Sequence, residues 1–262
     1  MPVKVKNKAI PRKKSKVGTD AAPTPNWPAL QPLVPVSELS LETLLPDQIV
    51  VIRNFWTSLL CENYVSFLST LPLVTTPGQP KKGEALRVND RYEVNDPAFA
   101  EQLWSSTALR ELATGTNEDD QDEDMPVAER RKMWGGEICG LNPRIRIYRY
   151  REGQFFDQHY DESNTIVLPT TPPTPAKTTW TLLLYLTGPA TGCIGGETVF
   201  YPELGPAKRF SGKTNEGEPV TVSLEVGMAL LHKHGQDCLL HEGREVMAGE
   251  KWVIRTDLCV KR

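Results

Sequence analysis

The sequence predicts an α+β fold, mainly β, in which a disordered basic and Pro-rich tail (1–38) and an αβ support region (39–140) precede an antiparallel jelly-roll core (141–262). Three observations carry this expectation. From Arg144 onward, short β-like runs alternate with Gly, Pro and Asn turns: Arg144–Tyr150, Thr179–Leu186, Thr198–Tyr201, Val220–Leu224, Met228–His232, Cys238–His241 and Lys251–Asp257. No helical period separates them, so the strands argue for an antiparallel sandwich or jelly roll and against a parallel α/β sheet. Upstream, Ile49–Ile52 reads as a strand, Thr57–Leu68 as a helix burying Leu60, Tyr64 and Phe67/Leu68, and Asp96–Leu112 as helical, which makes a support for the later sheet. Roughly the first 35 residues, rich in Lys, Pro and Ala, show neither period and are expected to be disordered or extended.

Composition narrows the function classes. A length of 262 residues suits one substantial domain with an appended region. A net charge of -3 gives no overall basic field, so nucleic-acid binding is not expected as a property of the whole protein. The cluster Lys4, Lys6, Lys8, Arg12, Lys13, Lys14, Lys16 reads first as a solvated tail and second as a nuclear-localisation or nucleic-acid patch, and Asn117–Asp124 as a solvated acidic loop. Five cysteines, odd in number and without CxxC spacing, suggest a reducing compartment. No apolar run approaches the ~20 residues of a membrane span, and Met1-Pro2-Val3-Lys4 does not lead into a signal-peptide core. The expectation is an intracellular protein, cytoplasmic and/or nuclear, not secreted and without a membrane partner.

The chemistry is concentrated in four histidines. His159 stands in Gln158-His159-Tyr160-Asp161, while His232, His234 and His241 crowd into one late segment. On a strand, residues i and i+2 share a face at about 7 Å between Cα atoms, so His159 and Asp161 can reach one ion. A second histidine from across the jelly roll would complete three ligands. Two neutral imidazoles and one carboxylate leave three positions open on an octahedral Fe(II), enough for a bidentate keto acid and O₂.

Longer motifs surround that pair. Tyr150-Arg151-Glu152-Gly153-Gln154-Phe155-Phe156-Asp157-Gln158-His159-Tyr160-Asp161 resembles the Y-x-x-G-x-x-x-x-x-H-x-D segment of prolyl 4-hydroxylase-like Fe(II)/2-oxoglutarate dioxygenases. Gly195-Gly196-Glu197-Thr198-Val199-Phe200 is similar to the family's GGET-x-F turn. His241-Glu242-Gly243 through Val246, Gly249, Lys251 and Trp252 is similar to its H-x-G…V-x-x-G-x-K-[WY] ending. The motifs occur in the family's order and cover roughly residues 141–257.

The resemblance implies a double-stranded β-helix form of the jelly roll. Its ligands would be His159, Asp161 and His241, its cofactors Fe(II), 2-oxoglutarate and O₂ and, as an accessory, L-ascorbate. It selects His241 over the fallback His232 because the family places its keto-acid cation ten residues beyond the distal ligand, which is Lys251. Tyr150, nine residues before His159, would donate to the same carboxylate. Period-two alternation puts Arg255 on the face of Lys251, as a second carboxylate contact or a structural ion pair. Retention of Asp161 implies hydroxylation over halogenation.

The substrate class stays open between a peptidyl proline, another protein site and a small molecule. Two other functions are weighed beside it: a non-catalytic metal-binding or regulatory jelly roll, and a nucleic-acid demethylase. The Pro-rich stretch Thr165–Lys177 is expected as a lid or substrate loop, or as a plain surface connection, and Arg146 and Tyr148 share the face of Tyr150. His232 and His234 read as a strand end and turn. Oligomeric state is not legible.

Overall fold

Helix starts and stops follow local hydrogen-bond chemistry. The computed structural model describes residues 24–76, 80, 85–115, 126–202 and 218–262; the basic cluster 4–16 and the acidic run 117–124 lie outside them. Helix α1 (Ser58–Leu68) begins at Thr57, whose hydroxyl accepts from the Leu60 N–H at 3.2 Å. Helix α2 (Pro97–Ser105) begins at Asp96, whose carboxylate accepts from the Phe99 N–H at 3.0 Å. The helical stretch expected over Asp96–Leu112 is two helices. Thr107 interrupts it, its hydroxyl donating back to Leu103 O (2.7 Å) and accepting from the Leu109 N–H (3.2 Å), so α3 (Leu109–Thr114) starts afresh. Helix α4 spans Val127–Trp134.

The strands are β1 (Glu42–Leu45), β2 (Ile49–Ile52), β3 (Val74–Thr75), β4 (Asp90–Asn95), β5 (Ile138–Leu141), β6 (Arg144–Arg151), β7 (Phe156–His159) and β8 (Thr165–Leu168). They continue with β9 (Thr174–Tyr185), β10 (Ile194–Gly195), β11 (Thr198–Tyr201), β12 (Val220–Val222), β13 (Ala229–Lys233), β14 (Leu240–Gly243), β15 (Val246–Ala248) and β16 (Glu250–Lys261). Among the described residues a major sheet runs β1-β2-β13-β9-β16-β6-β4-β3, with β5 on β16 and β8 on β9. A minor sheet runs β12-β11-β14-β7, and β10 pairs β15. All these pairings are antiparallel. The two sheets and their mainly β content bear out the jelly-roll expectation, and β2 and β4 show that the support region contributes strands to the same major sheet.

Alternation along the central strands produces three layers. Trp252, Ile254, Leu258 and Val260 of β16 join Ile145, Ile147, Leu182 and Leu184 and the helices in one apolar core. The opposite face of the same strands, with Tyr148, Tyr150, Tyr185 and Val253, packs with Phe200, Val222, Leu230 and Val246 in a second core between the sheets. Helices therefore cover one face of the major sheet, and the polar residues Lys251, Arg255, Arg146 and Thr181 belong to the other.

Two expectations need correction. Residues 24–38 are not disordered: Trp27 stacks on Phe99 at 4.1 Å and 19°, its indole N–H donates to Asp96 Oδ2 at 2.8 Å, and Tyr64 donates to Pro28 O at 2.8 Å. One aromatic anchor offsets the ordering entropy of a segment whose composition reads as tail. The Pro-rich stretch is neither a lid nor a loop. It folds as the β8–β9 hairpin, with Thr165 opposite Lys177 and Leu168 opposite Thr174, and buries Leu168 and Ala176 against Cys259, away from the pocket described below.

Trp27→Ala is expected to lower the unfolding free energy by about 2–3 kcal/mol, at the low end for an aromatic truncation because the ring is half-buried. Equilibrium urea unfolding checks this; a loss below about 0.5 kcal/mol, the range of an ordinary surface change, would show that 24–38 does not dock.

Candidate metal centre

Strands β7 and β14 pair in the minor sheet with His159 directly opposite His241. This register brings the two imidazoles to 4.2 Å between centroids, and Asp161, two residues beyond His159, joins them. One donor atom from each of His159, Asp161 and His241 lies within 4.8 Å of the other two. His159 Nε2 is 3.8 Å from Asp161 Oδ1 and His241 Nε2 is 3.7 Å from Oδ2. Adjacent donors about 2.1 Å from an octahedral ion would be about 3 Å apart, so small side-chain rotations close the set on an ion.

The protonation pattern suits a metal. His159 Nδ1 faces Asp157 O at 2.8 Å and His241 Nδ1 faces Leu239 O at 3.0 Å. A carbonyl can only accept, so each Nδ1 carries the proton and each Nε2 presents its lone pair. Burial pushes the His159 pKa down to about 3 and lowers that of His241, which keeps both rings neutral. Burial alone would raise the Asp161 carboxyl, but the Arg255 guanidinium holds it well below the usual range. Arg255 Nη2 is 2.8 Å from Asp161 Oδ2, and Thr181 donates to the same oxygen at 3.0 Å. Oδ2 is thereby occupied and the carboxylate plane is fixed.

The remaining histidines separate by the same criterion. His234 has both nitrogens engaged, Nδ1 with Thr181 Oγ1 at 3.0 Å and Nε2 with Thr178 Oγ1 at 2.9 Å, which is a structural role. His232, near the end of β13, also lines the pocket, with Nε2 3.7 Å from Asp161 Oδ2 and Nδ1 without a partner among the described residues. It thus lacks the carbonyl contact that orients His159 and His241. His232, Cys238 and His241 form a second trio within 4.8 Å. That trio is a poor ligand set: burial pushes the Cys238 thiol up to about 12, and its sulfur faces the protonated Nδ1 of His241 at 3.9 Å. Cys238 instead accepts from the Asp161 N–H at 3.3 Å, steadying the backbone of that residue.

Tyr150 and Lys251 face each other across the β6–β16 pairing and line the same pocket as the trio. Lys251 is 5% exposed, and its ammonium donates to Gly196 O at 2.6 Å. It lies 5.3 Å from the Tyr185 ring and 5.5 Å from the Tyr150 ring, with no carboxylate in ion-pair range among the described residues. The Gly195-Gly196 turn makes this approach possible. Both residues have positive φ (78° and 73°), and a Cβ on Gly195 would meet Glu245 O at 2.5 Å. Desolvation lowers the Lys251 pKa to about 8. The Tyr150 hydroxyl has no hydrogen-bond partner among the described residues.

Residues 145–256 match the family model described as the 2OG-Fe(II) oxygenase superfamily. This segment is similar to that superfamily. Within the matched segment fall all six residues singled out in the sequence, from Tyr150 to Arg255, together with Thr181. Among solved structures, the viral collagen prolyl hydroxylase from Paramecium Bursaria Chlorella virus-1, as its 2OG complex, is 16% identical, covering 81% of this chain and 96% of that one at a TM-score of 0.46. A prolyl hydroxylase from Trichoplax adhaerens, in complex with a hypoxia inducible factor oxygen degradation domain peptide, is 17% identical over 81% of this chain and 83% of that one, TM-score 0.49. A Pseudomonas putida prolyl-4-hydroxylase is 13% identical over 82% and 94%, TM-score 0.47. A search of curated protein sequences found no match.

Sequence reasoning did not assign Arg255 to Asp161 and did not find Thr181; it kept His232 only as the fallback distal ligand, and His232 does line the pocket. Strand alternation was the available signal for Thr181, because Leu182 and Leu184 are the apolar face of β9. Arg255→Leu is expected to weaken Mn(II) binding about 10–100-fold, the usual effect of losing a residue that orients a ligand. Calorimetric titration of the folded variant reads this, and an unchanged affinity would mean that Asp161 holds its orientation without the guanidinium.

Proposed function

We propose that this protein is a 2-oxoglutarate-dependent dioxygenase that hydroxylates a C–H bond of a protein or small-molecule substrate, releasing succinate and CO₂. His159, Asp161 and His241 hold Fe(II), and Tyr150 with Lys251 holds the far carboxylate of the keto acid. The observation that carries this reading is the buried Lys251 ammonium in the pocket of the trio, partnered by one carbonyl and no carboxylate among the described residues. A charge desolvated to this degree is costly without an anion. A jelly roll that only bound metal would have no use for it.

Bound Fe(II) would supply the coordination sites for keto acid and O₂ and the redox chemistry. The chain's own residues do the rest. Neutral His159 and His241 and the ionised Asp161 offer a net single negative charge, and Arg255 and Thr181 keep Oδ2 engaged so that Oδ1 is the freer ligand atom. Lys251 and Tyr150 fix one end of the keto acid, which orients the other toward the trio. Tyr185, Phe200, Leu183 and Val253 line or back the pocket with apolar surface that limits water. A peptidyl proline is the first substrate to try, on the strength of the motif resemblance.

The weak visible charge-transfer band of the anaerobic Fe(II)–2-oxoglutarate chelate tests the proposal. The band is expected in the wild type, lost in His241→Ala and kept in His232→Ala; its absence from folded wild-type protein would sink the enzyme reading. The pH dependence has a definite sign. Lys251 is cationic below about pH 8 and neutral above it, while the keto acid stays anionic, so affinity falls as pH rises. From pH 7 to 9 the loss should be about tenfold in Mn(II)-loaded protein, and Lys251→Arg should remove the slope. A wild-type affinity flat across that range would count against Lys251 as the anchor.

A further inference from the structure

The polar face shared by β6 and β16 is richer in cations than the keto acid requires. Arg146, Arg255 and Lys251 lie on it, Arg91 comes from β4, and Arg87 lies just before β4. Three of the arginines are neutralised by carboxylates: Arg255 by Asp161 (2.8 Å), Arg146 by Asp257 (2.6 Å) and Arg91 by Glu93 (2.7 Å). Arg87 has no carboxylate partner among the described residues.

Its position is built, not incidental. The Val88 N–H donates to Phe155 O at 3.0 Å and the Asp157 N–H donates to Leu86 O at 2.8 Å, so the backbone of 86–88 is strapped alongside the start of β7. This places the Arg87 guanidinium 4.8 Å from the Phe156 ring centroid and 5.8 Å from that of Tyr148. Both rings line the metal pocket, and Phe156 in turn stacks on His159 at 3.6 Å and 18°. The guanidinium is therefore one ring removed from an iron ligand. A guanidinium held over aromatic rings keeps N–H donors for an oxyanion and loses little further entropy on binding one. Glu242, the other carboxylate of the pocket lining besides Asp161, is held by the Tyr201 hydroxyl at 2.7 Å and lies 4.0 Å from Arg244, so it does not neutralise Arg87.

We propose that the substrate carries an oxyanion, a carboxylate or a phosphoryl group, which Arg87 receives at the rim of the metal pocket with the Tyr148 hydroxyl beside it. Tyr148 supports this as well, with Arg87 one of the charges that act on it. Burial would raise its phenol, yet the nearby Arg255, Arg146, Arg87 and Arg91 together bring it below the ordinary value, so negative charge is favoured at this hydroxyl. The Tyr148 hydroxyl has no hydrogen-bond partner among the described residues and is available to donate. The inference rests on the dioxygenase reading, because it assigns the rim to the substrate and the Lys251 end to the keto acid.

The test uses the full chain loaded with Co(II) and saturating 2-oxoglutarate, titrated with benzoate, phenyl phosphate and the uncharged benzamide, following heat and the Co(II) d–d spectrum. Formation of the Co(II)–keto acid complex comes first; if it fails, the dioxygenase reading fails and not the rim assignment alone. Given the complex, benzoate or phenyl phosphate should bind at least tenfold more tightly than benzamide, and whichever is tighter names the carboxylate or phosphoryl source. Arg87→Gln and Arg87→Met, which keep a stem to pack on Phe156, should each weaken the oxyanion at least tenfold and change 2-oxoglutarate affinity less than twofold. Arg87→Lys should retain part of the binding. Equal binding of the oxyanions by wild type and Arg87→Gln, or no preference over benzamide, overturns the proposal.

Discussion

One buried carboxylate governs the arrangement of the site. Asp161 is 8% exposed, and an unpaired charge so far from water would either protonate or force the structure apart. Arg255 from β16, Thr181 from β9 and the Cys238 sulfur that receives its backbone N–H satisfy it from three directions. Because β9 and β16 are neighbours in the major sheet while β7 and β14 belong to the minor one, these contacts tie the two sheets together at the point where His159, Asp161 and His241 meet. The relative placement of the sheets, the orientation of the carboxylate and the spacing of the imidazoles are thus one constraint.

The same logic of paired charge explains the faces of the central strands. β16 is buried along nearly its whole length, so every residue must be either apolar or neutralised. Trp252, Ile254, Leu258 and Val260 take the helix side. On the other side Arg255 and Asp257 find Asp161 and Arg146, and only Lys251 is left with a carbonyl as its partner. The proposed keto-acid anchor is the position where that pairing is incomplete.

Much of this was legible in the chain. Period-two alternation placed Lys251 and Arg255 on one face, and the turn residues located the strands of the second half. His-x-Asp and the ten-residue step from His241 to Lys251 pointed to residues that the structure does bring into one pocket. What stayed hidden depends on long-range contact. Nothing in the segment around Trp27 announces a partner at Phe99, seventy-odd residues away in sequence, and Pro-rich composition concealed a hairpin because its prolines fall where β8 and β9 can still pair. Arg87 sits in a short strap whose β-bridge among the described residues is a single one to β7, too brief to show a period.

The hydrogen bonds running outward from Asp161 have a direction. The Asn164 N–H donates to Thr178 Oγ1 at 2.9 Å, which leaves the Thr178 proton for His234 Nε2; the proton on Nδ1 then points at Thr181, whose own proton goes to Asp161. Each hydroxyl has a single hydrogen to give, so the order runs one way, from the backbone of Asn164 to the carboxylate. His234 is consequently held in one tautomer by groups that do not line the pocket. The negative end of this dipolar row is turned outward and its positive end toward Asp161, so a part of the electrostatic stabilisation of the carboxylate originates in a backbone amide four hydrogen bonds away from it.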